Sequence, residues 1–301
     1  MQNLPDFLIV GAAKAGTTSL FHYLEQHPEV FLPTVKEPKY FVTKFLNLPQ
    51  QGKGDQLTYE LMIKDFQSYS NLFSEKLESQ ICGEASVDYL YYSKKVIPEI
   101  KSKLGDPKII IMLRDPLKRS FSAYNHLIRD VREIKSFKEG LSLEEDRIRD
   151  NYEFIWHYTK ASLYHDDVKN FMDHFSNVKI VIFEEFVKDP IVITQEVYKF
   201  LNIDASVIPD VNKRYNFTGH PKNKHLQKIL KGSPNQFSRR FFKWIFDEKT
   251  RTVLRNILEN RNLSKPKENM AADTKAYLQS VFKKDKEELE KLLDKKLDFW
   301  L

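Results

Sequence analysis

Lys14 lies in a small-residue loop between Gly11 and Gly16, and its placement is the first hint of chemistry in this chain. The surrounding stretch, Phe7 to Ser19, reads FLIVGAAKAGTTS. An apolar run stops at Gly11, and Thr17, Thr18 and Ser19 open a segment with helical spacing. A strand, a glycine-bounded loop and a helix start would aim several backbone N–H groups at one point, with the positive end of the helix dipole behind them. Lys14, Ala15, Gly16, Thr17, Thr18 and Ser19 are therefore the candidate residues of an anion cradle, and the anion expected is a phosphate. Gly11 and Gly16 have the spacing of the nucleotide loop G-x-x-x-x-G-K-[ST], but Thr17 stands where that loop places its lysine. That lysine reaches terminal phosphates, and the hydroxyl after it holds magnesium. With the lysine moved to position 14, a two-unit anion fits better than a metal-bound triphosphate. The plain alternative is an ordinary strand-to-helix turn with a solvated lysine.

Two further blocks carry candidate groups. In Lys108–Tyr124 (KIIIMLRDPLKRSFSAY) an apolar strand ends at Leu113, and Arg114-Asp115-Pro116 turns into a helix. Arg114 then stands at the carboxyl end of a strand, with Ser122 two helical turns on. A guanidinium fork suits bidentate phosphate binding and a serine hydroxyl adds a further bond. An Arg114–Asp115 pair at a helix start is the alternative. In Val35–Phe41, Glu37 sits between Lys36 and Lys39 and before Pro38. The proline favours extended or turn backbone, and the lysines would keep the carboxylate ionised and able to accept a proton. A polar loop would look similar.

The elements that must position these groups follow from periodicity. Strands are predicted at Asp6–Val10, Gln80–Glu84, Lys108–Leu113 and Val178–Phe183. Helical stripes fall on Thr17–His27, Val168–Phe175 and Ile193–Leu201. Alternating strands and helices give an α/β fold with a central, mostly parallel sheet flanked by helices, in one domain spanning residues 1–301. Ligands of such sheets bind at the carboxyl ends of strands, so the loops after Val10, Glu84 and Leu113 should converge. Thr43–Thr58 and Asn202–His220 read as long loops, Lys231–Asn235 as a turn cluster, and the chain from Gln236 onward as helical.

Composition narrows the classes. With 301 residues, 41% hydrophobic and 30% charged, the chain can bury a large core and is not biased toward disorder. Its net charge of +6 fits a small anionic ligand rather than nucleic acid. The single cysteine, Cys82, excludes an internal disulfide and a cysteine-based metal cluster. No apolar run approaches the roughly 20 residues of a membrane span, and the first strand begins close to Met1, which predicts a cytoplasmic protein without an N-terminal anchor.

Taken together, these blocks resemble the sulfotransferases that use 3′-phosphoadenosine 5′-phosphosulfate (PAPS), in a bacterial branch related to the heparan-sulfate enzymes. The family's strand followed by G-x-x-K-x-G-T-[ST] is matched from Gly11 to Thr18, and R-D-P-x-x-R-x-x-S-x-Y at Arg114, Asp115, Pro116, Arg119, Ser122 and Tyr124. K-E-P-x-[FY]-F is matched from Lys36 to Phe41. Gly83–Tyr92, Ser162-Leu163-Tyr164 and Phe299-Trp300 also look similar. The resemblance implies a P-loop-like three-layer fold, with Lys14 through Ser19 on the 5′-phosphosulfate and Arg114 and Ser122 on the 3′-phosphate. It also implies that Gly219 and Lys222 belong to a late closing loop, Thr218–Lys222. Glu37 is the implied general base, with Glu84 as the other candidate. No metal is expected.

The pattern also departs from the family. Ala85 follows Glu84 where the Golgi enzymes have a lysine, their late-loop disulfide has no counterpart, and none of the eight histidines lies in the motif of a histidine base. The implied acceptor is a hydroxyl on a glycan, lipid or natural product, lined by Phe41–Thr58 and Glu133–Tyr158. A P-loop kinase of small metabolites and a non-catalytic module binding 3′-phosphoadenosine 5′-phosphate (PAP) or another anion remain alternatives. The oligomeric state is open.

Overall fold

The structure is a computed structural model that describes residues 3–212, 219–223, 226–227, 258, 261–264 and 270–301. Its centre is a five-stranded, wholly parallel sheet in the order β2-β3-β1-β4-β5: β1 (Phe7–Gly11), β2 (Val30–Phe31), β3 (Ile81–Ala85), β4 (Lys108–Leu113) and β5 (Val178–Ile182). β1 is buried along its whole length and β4 beyond its first residue. Their unbroken apolar runs therefore belong to strands covered on both faces, as parallel crossovers require. Three of the four predicted strands match within a residue at each end, and the fourth, β4, coincides. The two-residue β2 is too short to announce itself by periodicity.

Helices α1 (Thr17–Leu24), α4 (Ser93–Leu104), α5 (Pro116–Arg129), α8 (His165–His174) and α10 (Pro190–Leu201) flank the sheet, giving the three-layer α/β fold that the residues predicted. Local signals set their ends. The Asp115 carboxylate accepts from the Leu117 amide at 3.0 Å and Pro116 opens α5; Asp189 and Pro190 repeat the device on α10. The short α9 (Phe183–Lys188) follows β5 directly.

The segments expected as loops hold more structure than predicted. Thr43–Thr58 overlaps a 3₁₀ turn at Tyr40–Phe45 and α2 (Asp55–Glu60), which precedes α3 (Phe66–Asn71). Glu133–Tyr158 holds α6 (Phe137–Ser142) and α7 (Glu144–Arg149). The final helix, α11 (Ala272–Leu293), packs Leu278 and Phe282 against α5 and Phe154, while Leu289, Leu297 and Trp300 join the main core. A two-stranded antiparallel ribbon, β6 (His220–Pro221) with β7 (Leu263–Ser264), lies beside α5. Thr218, the turn cluster at Lys231–Asn235 and the helical expectation for 236–257 fall outside the described residues.

Candidate active site

The loop after β1 does converge with those after β3 and β4. The Ala12 amide donates to the Met112 carbonyl at 2.6 Å, and the Leu90 amide donates to the Val10 carbonyl at 2.8 Å. Gly16 caps α1 with φ 91°, and a Cβ there would come within 2.7 Å of the Phe183 ring, so the position demands glycine twice over. Among the described residues no side chain caps α1; the Ser19 amide donates to the Gly16 carbonyl at 3.0 Å, which leaves the amides of Thr17 and Thr18 for an outside acceptor.

Two arginines hold the loop by its carbonyls. Arg114 Nη1 donates to the Lys14 carbonyl at 3.0 Å, and Arg119 Nε donates to the Ala13 carbonyl at 3.1 Å. Arg119 is wholly buried and also donates to the Ser162 hydroxyl at 3.1 Å. The Ala13 and Lys14 carbonyls are thereby tied back, while the Ala15 amide donates to the Ala12 carbonyl at 3.3 Å. Sequence reasoning noted Arg119 within a motif but gave it no task; the signal was a second arginine five residues after the first. Arg114 stacks on Phe183, 4.6 Å from the ring centroid, and its Nε is buried with no partner among the described residues. Ser122 is half-buried on the α5 face shared with Arg119, His126 and Arg129, three or four residues apart.

Lys14 itself is in the left-handed region, φ 70°. Burial pushes its ammonium down to about 7; the Arg129 and Arg114 charges act in the same sense, while Asp130 and Glu37 oppose them. Glu37 thus feels the cradle lysine. Its side chain is 28% exposed, and its carboxylate meets Lys36 Nζ at 2.8 Å and Lys39 Nζ at 3.7 Å. Burial acts to raise the Glu37 pKa, but the two lysines, helped by Lys14, hold it below the ordinary glutamate value.

The bend that carries Glu37 is strained. Glu37 and Lys39 flank Pro38 at φ 61° and φ 54°. Such backbone costs on the order of 1–3 kcal/mol per residue and persists only where the surroundings over-determine it. Here they do. Lys39 Nζ lies 3.4 Å from Asp88 and 3.6 Å from Glu153, and Glu153 in turn pairs with Arg132 at 2.8 Å. Burial works to depress the Lys39 pKa, yet Asp88, Glu153 and Glu37 together raise it. This cluster draws on four separate segments, so no local pattern announced it.

Glu84, the other candidate base, is fully buried, and burial pushes its carboxyl up to about 7. It accepts from the Ser86 hydroxyl at 2.8 Å and the Tyr69 hydroxyl at 3.1 Å, which leaves it no open path to an acceptor. Gly219 is buried against β7. Lys222 is exposed, and its Nζ donates to the Arg261 carbonyl at 2.9 Å. His220 meets Asn125 at 2.8 Å, which sets this late segment beside the Ser122 helix. Among the described residues no group of three or more His, Cys, Asp or Glu could hold a metal ion, and no helix is long and apolar enough to cross a membrane.

Comparison with known proteins gives the family. A family model described as "Sulfotransferase family" matches residues 5–206. The crystal structure of a sulfotransferase from Alicyclobacillus acidocaldarius superposes with a TM-score of 0.78 at 32% identity, covering 99% of this chain and 98% of that one. Membrane-associated sulfotransferase kil1 of Dictyostelium discoideum is 33% identical over 133 residues, 44% of this chain and 25% of its own length. Mouse heparan sulfate glucosamine 3-O-sulfotransferase 3A1 is 26% identical over 219 residues, 72% of this chain and 50% of its own. The chain therefore spans between a quarter and a half of these two curated relatives. The matched range takes in the first strand, the lysine-bearing glycine loop and both arginines that hold it, and the chain belongs to the sulfotransferase family of enzymes.

Proposed function

We propose that the chain moves a sulfuryl group from PAPS to a hydroxyl of a glycan, lipid or natural-product acceptor, with Glu37 as general base. The observation that carries this reading is the contact between the two anion grips: Arg114 Nη1 is 3.0 Å from the carbonyl of Lys14, so the loop and the arginine share one cleft. The buried Nε of Arg114, without a partner among the described residues, is the kind of donor that a bound phosphate oxygen satisfies. Lys14 through Ser19 would hold the 5′-phosphosulfate, and Arg114 and Ser122 the 3′-phosphate. Gly219 and Lys222 would belong to the closing segment. Lys222 would first have to release the Arg261 carbonyl.

Bound PAPS supplies a sulfuryl group activated by its anhydride bond to phosphate. The chain's own residues then have distinct tasks. Glu37, held ionised by Lys36 and Lys39, takes the acceptor hydroxyl's proton, a step worth about 10²–10⁴ in rate. Lys14 and the loop amides counter the negative charge that moves onto the departing phosphate. The heparan sulfate relatives suggest a sugar hydroxyl. Near Glu37, however, Lys39 and Arg132 are already engaged by Asp55, Asp88 and Glu153, which favours a weakly charged acceptor over a polyanion.

The test is transfer of labelled sulfate from PAPS to a panel of neutral glycosides, sulfated glycans, lipid alcohols and phenols. It is run beside melting curves with PAP and with ATP plus magnesium. Sulfated product and stabilisation by PAP are expected. Magnesium-dependent phosphoryl transfer from ATP would overturn the reading in favour of a kinase, and tight PAP binding without transfer to any acceptor would favour a binding module. Glu37→Gln should keep PAP affinity within about twofold and lose about 10²-fold or more in turnover; unchanged turnover would remove it as the base.

A further inference from the structure

Glu84 sits at the end of β3, beside the central strand, with Leu8 as its register partner. It is wholly buried, yet three hydroxyls converge on it. Ser86 Oγ donates to Oε2 at 2.8 Å, Tyr69 OH donates to Oε1 at 3.1 Å, and Tyr89 OH is in hydrogen-bonding reach. Two of these hydroxyls work in both directions. Ser86 Oγ accepts from the Lys39 amide at 3.0 Å, and Tyr89 OH accepts from the Phe41 amide at 3.3 Å. A carboxylate that takes the hydroxyl protons leaves the oxygen lone pairs of Ser86 and Tyr89 turned toward those two amides.

We infer that Glu84 is a positioning residue: through Ser86 and Tyr89 it pegs the backbone at Lys39 and Phe41 and so fixes the left-handed bend that aims Glu37 at the reacting hydroxyl. This rests on the reading of Glu37 as base. Nothing else described on the β3 side grips that bend by its backbone amides. Other holds include the Ile63 amide on the Pro38 carbonyl at 2.9 Å, the Val42 amide on the Lys39 carbonyl at 3.3 Å, the Lys36–Glu37 pair and the ion pairs at the tip of Lys39. Those leave the amides of residues 39 and 41 to the hydroxyls. Protonation or neutral replacement of the carboxyl frees Ser86 Oγ to rotate, and the Lys39 amide loses a directed acceptor. The expected damage is misaim, not loss of donor binding.

The experiment compares Glu84→Gln, Ser86→Ala, Ser86→Thr and Glu37→Gln. PAP affinity is measured by titration calorimetry. Turnover is scored as label leaving PAPS for the best acceptor of the panel or for water. Glu84→Gln and Ser86→Ala should each lower kcat between about 10- and 100-fold, with PAP affinity and the KM for PAPS within about twofold of wild type. Ser86→Thr, which keeps a hydroxyl, should restore most of the rate. The Glu84→Gln/Ser86→Ala double variant should be little worse than the poorer single, because both act through one unit. If Glu84→Gln fails to fold, the Ser86→Ala and Ser86→Thr pair carries the same comparison. Normal turnover of Glu84→Gln and Ser86→Ala beside an inert Glu37→Gln overturns this inference alone. Normal turnover of Glu37→Gln overturns the base assignment and this inference with it.

Discussion

At the scale of single residues, the site sets two opposite charges in deliberately unlike surroundings. Glu37 is kept ionised by neighbouring ammonium groups, whereas the Lys14 ammonium is pushed down to about 7 by burial and then by Arg129. The sign of the resulting pH dependence differs between folding and binding. The folded pKa of Lys14 lies below its ordinary 10.5, so between about 7 and 10.5 the unfolded chain holds more protons and this group's contribution to stability rises with pH. An anion in the cradle favours the charged lysine, so PAP affinity should fall as pH climbs above about 7, by at most about tenfold per unit. Calorimetry at pH 8 in buffers of different ionisation enthalpy should register proton uptake on PAP binding, and Lys14→Met should abolish that uptake. Much of this was legible in the residues: Lys14, Arg114 and Glu37 stand in short local patterns. The anchoring tasks of Arg119 and Lys39 were not, because their partners, the Ala13 carbonyl, Ser162, Asp88 and Glu153, lie far away in the chain.

At the scale of elements, α5 has the most to do. Its N-cap Asp115 accepts from Leu117 and from the Leu301 amide at 3.3 Å, and it pairs with Lys118 at 3.2 Å while only 2% exposed. Removing that carboxylate in Asp115→Ala should cost about 1–2 kcal/mol in urea unfolding. PAP binding should weaken as well, since Arg114 is the adjoining residue. The start of the long α5 was readable from Arg114-Asp115-Pro116, which turns the chain into a helix. The six-residue α6 and α7 were not, because fewer than two turns carry no amphipathic stripe. Yet α6 did leave one clue: Ser136 and Glu139 form a reciprocal capping box at its start. The strands were the easiest elements to read, since buried parallel strands have no polar face to interrupt them.

At the scale of the molecule, the residues after α11 pack back onto the start of α5. Trp300 is buried, and its indole N–H donates to Glu184 at 3.1 Å; the same carboxylate accepts from the Asp115 amide at 3.2 Å. Asp285 on α11 accepts from the amides of Tyr164 and His165 at the start of α8. With the C-terminal helix tied into both apolar clusters, we expect one cooperative unfolding transition for the whole chain. Trp300→Ala should lower stability by about 3–5 kcal/mol, seen as a shifted but still single melting transition. An independent second transition would show that the C-terminal part is a separate unit.

The Phe183 ring lies against Gly16, within 2.7 Å of where a Cβ there would stand, and also carries the Arg114 guanidinium, 4.6 Å from its centroid. If the loop and Arg114 hold opposite ends of one nucleotide as proposed, this bystander hydrocarbon is the wall between them, and recognition at one end is mechanically linked to recognition at the other. Phe183→Leu should shrink the preference for PAP over adenosine 5′-phosphate, read as the ratio of their dissociation constants. Donor discrimination in this enzyme would then depend on a side chain that carries no charge and forms no hydrogen bond to either ligand.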